Sequence, residues 1–443
     1  MAQTEADRAR HGRERSVLAA SSVNPSPLCA FCQGRSLEQV VDFGEVALAG
    51  GFIKPEHFKN EPRFRLRVAF CKNCYAVQIV DKVDARLLFD HYFYFSSASR
   101  TLREHFVDYA SEVVARFLEP SRSTVVEIGC NDGVLLKPLA DHGVRTLVGV
   151  DPATNIVSTI NDPRISVVND FFGKPVAEQI AERHGPADLI VANNVFAHIP
   201  DIRGVTAAVR DLLKDDGVFI FEVHYLGKIT QGMQYDMIYH EHLYYYSLLA
   251  LMNHFSNFGL TIFDVKPVQM HAGSMRYFVC KDSSRFASTI SPRVAALRND
   301  ELAAGLDKAA TFLRFANDIA QRRDRLMELL GQLRAEGRTV AGYGASGRAN
   351  TIIQYCGIGH EHLEYIVDDA PAKWGYYTPG SHFLIRSNEA LMSATPDYLL
   401  IFAWGYFSEI AERCRGYLEG GGRMIVPLPD VRLILHPLPG VKL

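Results

Sequence analysis

Apolar positions along the chain fall into short runs closed by glycine or an acid, separated by segments whose apolar residues recur at helical spacing. Val125-Val126-Glu127-Ile128 ends in Gly129-Cys130-Asn131-Asp132-Gly133 and resumes as Val134-Leu135-Leu136, the layout of a strand, a glycine loop and a helix start. Residues 147–150 end at Asp151, 165–168 lead to Asp170-Phe171-Phe172, and 188–191 run into Asn193-Asn194-Val195-Phe196-Ala197-His198. A helix around 202–213, the turn Asp215-Asp216-Gly217 and a fifth strand over 218–223 follow, and 261–265 and 274–280 fit a closing antiparallel pair. Strands alternating with helices predict a doubly wound α/β sheet. Polar groups at the carboxyl ends of its strands should then converge on one crevice.

The pattern then changes twice. From about 294 to 333 the chain is charged, proline-free and apolar at helical spacing, which predicts a linker helix or helical hairpin. Beyond it, Val340-Ala341-Gly342-Tyr343-Gly344-Ala345-Ser346-Gly347-Arg348-Ala349-Asn350 repeats the strand, glycine loop and helix layout in Gly-x-Gly-x-x-Gly spacing, with Asp368-Asp369 near the end of the next strand. A backbone cradle at a helix N-terminus suits a diphosphate, making Tyr343, Ser346, Arg348, Asn350 and Asp368 candidate substrate contacts. An NAD-dependent oxidoreductase is the competing reading of this loop.

The N-terminal part carries Cys29-x-x-Cys32 and Cys71-x-x-Cys74. Two such knuckles complete a tetrahedral thiolate site for zinc, and four protein ligands close the sphere, so the zinc should be structural. Disulfides are disfavoured in a chain with no apolar leader and no membrane-length apolar run, which is expected to be cytoplasmic. The resulting division is a tail over 1–24, a zinc module over 25–85, a central α/β domain over 86–285, a helical linker over 286–335 and a second α/β domain over 336–443. A net charge of -3 over 443 residues excludes a broad nucleic-acid footprint and favours a small-molecule partner. A monomer or weak dimer is expected.

The densest chemistry lies just after the fifth strand, in Tyr235-Asp236-Met237-Ile238-Tyr239-His240-Glu241-His242-Leu243-Tyr244-Tyr245-Tyr246. Tyr239, Glu241 and His242 can accept, donate or relay a proton near neutral pH. The i, i+2 spacing of His240 and His242 does not suit a metal. An aromatic cluster of this kind also occurs as packed core, and a scaffold that only binds metabolites is the non-enzymatic alternative. Ahead of the central domain, His91-Tyr92-Phe93-Tyr94-Phe95-Ser96-Ser97-Ala98-Ser99 suits either a loop over a ligand or a packed edge.

Glu127-Ile-Gly-Cys-Asn-Asp-Gly133 resembles the Glu-x-Gly-x-x-x-Gly signature of class I S-adenosylmethionine (SAM) methyltransferases. Glu127 beside Gly129, Asn131 and Gly133 suits the cationic methionine end of SAM, Asp151 its ribose hydroxyls, Asp170 and Phe171 its adenine, and Asn193 lies at the same rim. Beyond this signature, the paired cysteine knuckles, Asn194-x-x-x-His198, Tyr239-His-Glu-His242, Gly342-Tyr-Gly-Ala-Ser346, Val367-Asp-Asp-x-Pro-Ala-Lys373 and Tyr377-Thr-Pro-Gly380 resemble, in order along nearly the whole chain, the zinc-containing sugar C-methyltransferases that act on nucleotide-linked 4-keto-deoxysugars. The resemblance implies a class I SAM methyltransferase domain flanked by the zinc module and a second Rossmann-like domain that holds the nucleotide. It implies His242 as general base, assistance from Tyr239 and Glu241, a site-lining tyrosine at Tyr94 with Tyr92 beside it, and substrate contacts from Asn194 and His198. The reaction expected is methylation of carbon 3 through an enolate, with O-methylation as the near alternative. The chain departs from the family in having Arg348 where lysine is common and Gly405 where asparagine is frequent, both in the substrate half.

Overall fold

The structure is a computed structural model and describes residues 27–89 and 95–435. The N-terminal unit is an antiparallel meander of β1 (Leu37–Ala47), β2 (Arg63–Cys71) and β3 (Val77–Ile79). Its second Cys-x-x-Cys turn joins β2 to β3, so the knuckle doubles as a hairpin. A single three-stranded sheet has no second layer of its own to pack on, and a cross-linking metal is the usual remedy for a module of that size.

The central sheet contains β4 (Thr124–Ile128), β5 (Thr146–Val150), β6 (Ile165–Val168), β7 (Ala187–Asn193) and β8 (Leu213–His224), with β10 (Leu260–Val268) and β11 (Ser274–Lys281) completing it. The order is β10-β11-β8-β7-β4-β5-β6, and β4 to β8 are mutually parallel while β11 is antiparallel to both neighbours. β4 is buried along its whole length, which is why it reads as an unbroken apolar run rather than an alternation. Asp215-Asp216-Gly217 is no separate turn as expected. It belongs to β8, where a register shift against β7 absorbs it and where a Cβ on Gly217 would sit 2.8 Å from the Ala187 carbonyl.

Helices Pro292–Ala303 and Ala309–Ala335 follow the central sheet. They lead to a second sheet of β12 (Val340–Tyr343), β13 (Ile366–Val367), β14 (Ile385–Arg386), β15 (Tyr398–Ile401), β16 (Arg423–Val426) and β17 (Arg432–Ile434), ordered β14-β13-β12-β15-β16-β17 and parallel except for β17. Ser346 caps the helix Gly347–Cys356 by accepting from the Ala349 N–H, ending the glycine loop in the geometry that serine favours at an N-terminus.

The units are not strung like beads. A short strand from the central domain, β9 (Tyr244–Tyr245), adds to the free edge of β3, so the cysteine-bearing sheet borrows its fourth strand from the segment that follows His242. On the other side, Gln354 of the second domain exchanges hydrogen bonds with both backbone groups of Ala47, Asn350 donates to the Ala49 carbonyl at 2.5 Å, and Glu61 accepts from the Gly380 N–H and pairs with His382. One apolar cluster runs from Val41, Leu66 and Phe70 through Phe312 and Ile319 to Ile352 and Leu400. Among the described residues, no helix is long and apolar enough to cross a membrane.

Candidate active site

A crevice of about 950 Å³ opens where the three units meet. The ends of β4, β5 and β7 line one end of it, and the segment of Tyr239, Glu241 and His242 lies on its wall. The loop after β12 and residues 402–406 line the other end.

At the first end Glu127 is buried beside Asn193, the last residue of β7, and neither Glu127 Oε2 nor the Asn193 amide has a hydrogen bond of good geometry among the described residues. Burial, with Asp151 nearby, holds the Glu127 carboxyl well above the usual carboxylate range. An acid and an amide kept buried without well-formed hydrogen bonds are groups that a polar ligand would satisfy. Gly129 has a φ of +70° and a Cβ there would meet Val195 at 2.7 Å, so only glycine fits the bend. Asp151 accepts from the Asn131 N–H at 3.0 Å and the Ala153 N–H at 2.9 Å, which secures the loop. Asn131, Asp170 and Phe171 also line this end. Gly133, with a φ of +76°, shapes the turn but does not line the crevice, a correction to its expected role as a contact. These groups fit SAM: an acid and amide for the methionine end, a carboxylate at the tip of β5 for the ribose, and a ring for the adenine.

The aromatic and serine loop docks on the same glycine loop, since the Ser96 N–H donates to Asn131 Oδ1 at 2.9 Å and the Ser97 N–H to Asp132 Oδ2 at 3.1 Å. Tyr92 and Tyr94 lie outside the described residues.

On the wall, His242 Nδ1 lies 2.7 Å from the Met237 carbonyl oxygen. A carbonyl can only accept, so Nδ1 carries the proton and Nε2 the basic lone pair. The ring is flanked by Tyr239 at 4.0 Å, His198 at 5.1 Å and His224 at 5.2 Å between centroids. Burial lowers His198 to about 4, so this neighbour is uncharged at neutral pH and does not oppose protonation of His242. Burial likewise raises the Glu241 carboxyl to about 7, with the Gly50 N–H as its hydrogen-bond donor. His240 points elsewhere and bonds the Arg65 carbonyl at 3.0 Å, which separates the two histidines into one structural and one crevice-lining group.

At the far end Ser346, Gly347, Arg348 and Lys373 line the crevice together with Phe402, Trp404 and Tyr406. Three expected substrate contacts do not. Asn350 is buried against Ala49, Tyr343 is buried with its hydroxyl on Asp369 at 2.9 Å, and Asp368 accepts from the Ala345 and Ala370 N–H groups and from Lys373. The physical reason is common to them: each is engaged in holding the loop and its neighbours in shape, off the crevice lining. Asp368, unlike Asp151, is also paired with Lys373 and lies off the crevice lining, which leaves it poorly placed to take the ribose of a dinucleotide. His224, Gly50, Lys373 and Trp404 were not singled out as site residues. Lys373 was visible in the motif that resembles the family, while Gly50 is distant in sequence and no local pattern marks it.

The sulfurs of Cys29, Cys32, Cys71 and Cys74 all lie within 4.8 Å of one another, with 3.5 Å between Cys29 and Cys74 and 3.6 Å between Cys32 and Cys71. Bonds of about 2.3 Å in a tetrahedron would put sulfurs roughly 3.8 Å apart, so the set fits zinc. Both knuckles close alike: Gln33 and Tyr75 have φ values of 59° and 64°, and their N–H groups return to the carbonyls of Cys29 and Cys71. The first knuckle also packs on the segment that follows His242, for Phe31 meets Tyr244 edge-on at 5.2 Å.

Comparison with known proteins agrees with this architecture. Residues 269–429 match a family model described as the C-methyltransferase C-terminal domain, residues 102–265 one described as a methyltransferase domain, and residues 29–89 one for a zinc binding domain. The chain is 35% identical over 413 residues to the C-methyltransferase NovU of Streptomyces niveus, an alignment covering 93% of this chain and 98% of that protein. It is 28% identical, over 24% of its length and 45% of the other's, to a ubiquinone biosynthesis O-methyltransferase of Xanthomonas axonopodis pv. citri. The solved magnesium protoporphyrin IX methyltransferase of Synechocystis with bound SAM aligns with a TM-score of 0.30 at 14% identity, over 40% of this chain and 79% of that one.

Proposed function

The chain belongs to the C-methyltransferase family and is a SAM-dependent C-methyltransferase; from that premise we propose that it methylates carbon 3 of a nucleotide-linked 4-keto-deoxysugar, with His242 as the base. The observation that carries the reading is the His242 imidazole on the crevice wall, its tautomer set by Met237, between an acid-lined end and a cation-lined end.

A hydrogen on carbon 3 is acidified by the neighbouring ketone, so a single neutral imidazole can remove it. Nε2 of His242 takes the proton, and the electron pair of the C–H bond moves into an enolate whose charge rests on the ketone oxygen. Tyr239, packed on the base, donates to that oxygen, an interaction typically worth about 3 kcal/mol per donor. Glu241, raised to about 7, accepts and returns protons at working pH. SAM, when bound, supplies an electrophilic methyl whose transfer to carbon leaves S-adenosylhomocysteine. Glu127, Asn131, Asp151 and Asn193 would hold it, with Asp170 and Phe171 at the adenine. Asn194 and His198 contact the sugar, and the glycine loop after β12 with Ser346, Arg348 and Lys373 receives the diphosphate. In this division the zinc module is a structural support, the central domain binds the donor and the second domain binds the nucleotide.

The test is to supply a thymidine or guanosine diphosphate 4-keto-6-deoxyhexose in deuterated water with S-adenosylhomocysteine, then with SAM. Deuterium entering carbon 3 without methyl transfer, and a carbon-bound methyl with it, are the expected results. A methyl on oxygen, or no exchange at carbon 3, would overturn the assignment.

A further inference from the structure

The segment of the proposed base opens with an acid that this chemistry leaves unused. Asp236 is fully buried three residues before Tyr239. Its Oδ2 accepts from two donors of the second α/β unit, Arg348 Nε at 2.8 Å and Trp404 Nε1 at 2.8 Å. Arg348 also lies over the Trp404 ring, 5.0 Å from its centroid. Nη2 of Arg348 is as near to the carboxylate, 2.8 Å, but at an angle that makes no hydrogen bond, and it is a buried nitrogen without a hydrogen-bond partner among the described residues. Arg348 and Trp404 line the crevice and Asp236 does not.

Resting on the proposed substrate, we infer that Asp236 is a positioning residue for diphosphate recognition. By fixing Nε of Arg348 and the indole of Trp404 together, it presents the outer edge of the guanidinium to the phosphoryl oxygens. It also ties the loop of the base to the domain that holds the nucleotide. A guanidinium is planar and carries three nitrogens: with Nε and Nη2 turned to one carboxylate, Nη1 is left on the opposite edge for a phosphoryl oxygen. A lysine has one nitrogen and cannot serve both partners in this way. Stability alone accounts poorly for the arrangement, because a buried ion pair returns little net energy after desolvation. Holding an arginine on its ligand-binding edge is a use that repays the burial only when the ligand is present.

The test is calorimetric titration of the full chain and of its Asp236→Asn and Arg348→Lys variants with thymidine diphosphate, guanosine diphosphate, the two nucleosides and S-adenosylhomocysteine. In the unaltered protein one diphosphate should bind at least about tenfold more tightly than its nucleoside. Both variants should erase that preference, raise KM for the nucleotide sugar with little change in kcat, and leave S-adenosylhomocysteine binding within about twofold. If the unaltered protein prefers neither diphosphate to its nucleoside, the substrate reading falls and this inference with it. If the preference exists and survives in both variants, only the role of Asp236 falls. Equal losses of nucleoside, diphosphate and S-adenosylhomocysteine binding with a lowered Tm would make Asp236 a structural staple and overturn the inference. Should Asp236→Asn not fold, Arg348→Lys, at the partly exposed side of the pair, reads the same preference.

Discussion

The two glycine loops of this molecule share one design and end in opposite electrostatics. Aligning Gly129 with Gly344, both at positive φ, places Glu127 opposite Gly342, and in each loop the acid ending the next strand bonds a loop N–H and the N–H two residues on. In the first loop Glu127 and Asp151 have no ion-pair partner among the described residues, and burial raises both. In the second, the position of Glu127 is taken by a glycine whose Cβ would meet Phe402 at 2.7 Å, and Asp368 is neutralised by Lys373 at 3.2 Å. One backbone motif thus presents uncompensated acid to the crevice, and the other presents Arg348 and Lys373, whose acids Asp236 and Asp368 lie off the lining. The first environment favours a sulfonium and ammonium, the second a diphosphate. Shared fold says nothing of ligand here; the charge balance at the strand tips does.

The comparison breaks most severely if the group between the loops does not link their ligands. His242→Gln keeps the size of the side chain but no titrating nitrogen, and kcat for methyl transfer should fall about 10³-fold, within the usual span for a general base. Binding of S-adenosylhomocysteine, measured by calorimetry, should persist; a variant retaining kcat would remove His242 from the mechanism. A smaller effect sharpens the first half: Glu127→Gln should weaken S-adenosylhomocysteine by about tenfold to a hundredfold, the loss of a charge-assisted bond, without moving nucleotide affinity. The second half answers to Lys373→Met, which strips Asp368 of its cation. Nucleoside diphosphate affinity should fall about tenfold and S-adenosylhomocysteine affinity stay unchanged, because only one loop has lost its compensation. Cross-talk between the two ligands in either variant would mean that the loops are not electrically separate.

Much of this was legible because it is local. The seven strands of the central sheet, the cysteine knuckles and the helix after Ser346 follow from apolar runs, thiol spacing and a cap, each complete within a dozen residues. What sequence reading lost was held at a distance. β9 pairs with β3 across more than a hundred and fifty residues, and no feature of Tyr244-Tyr245 distinguishes an edge strand from packed core. Asn350 looks like a ligand contact at the mouth of a glycine loop until Ala49, about three hundred residues away, claims it, and Asp368 does so until the Ala345 N–H of the other strand's loop binds it beside the nearby Lys373. The two histidines of the central stretch are alike in sequence, and only the Arg65 carbonyl sets His240 apart.

The smallest expected effect concerns Glu241, an acid between the two halves that forms no ion pair among the described residues. Burial raises Glu241 from an ordinary 4.5 to about 7, so the folded chain keeps a proton that the unfolded chain releases over that interval. Its contribution to stability is therefore greatest below about 4.5 and is lost as pH rises through about 7. Glu241→Gln retains an oxygen for the Gly50 N–H and removes the titration, so the variant should gain on the parent between pH 5 and pH 8 by about 1 to 3 kcal/mol. In a chain of this size that is a shift of one to a few degrees, read as the difference in Tm between variant and parent at each pH. His198, lowered to about 4, pulls the parent curve the other way below pH 6.5, which is why the difference and not either curve carries the test. Parallel curves would mean that Glu241 holds no proton at working pH, and the proton relay would then have to run through His242 alone.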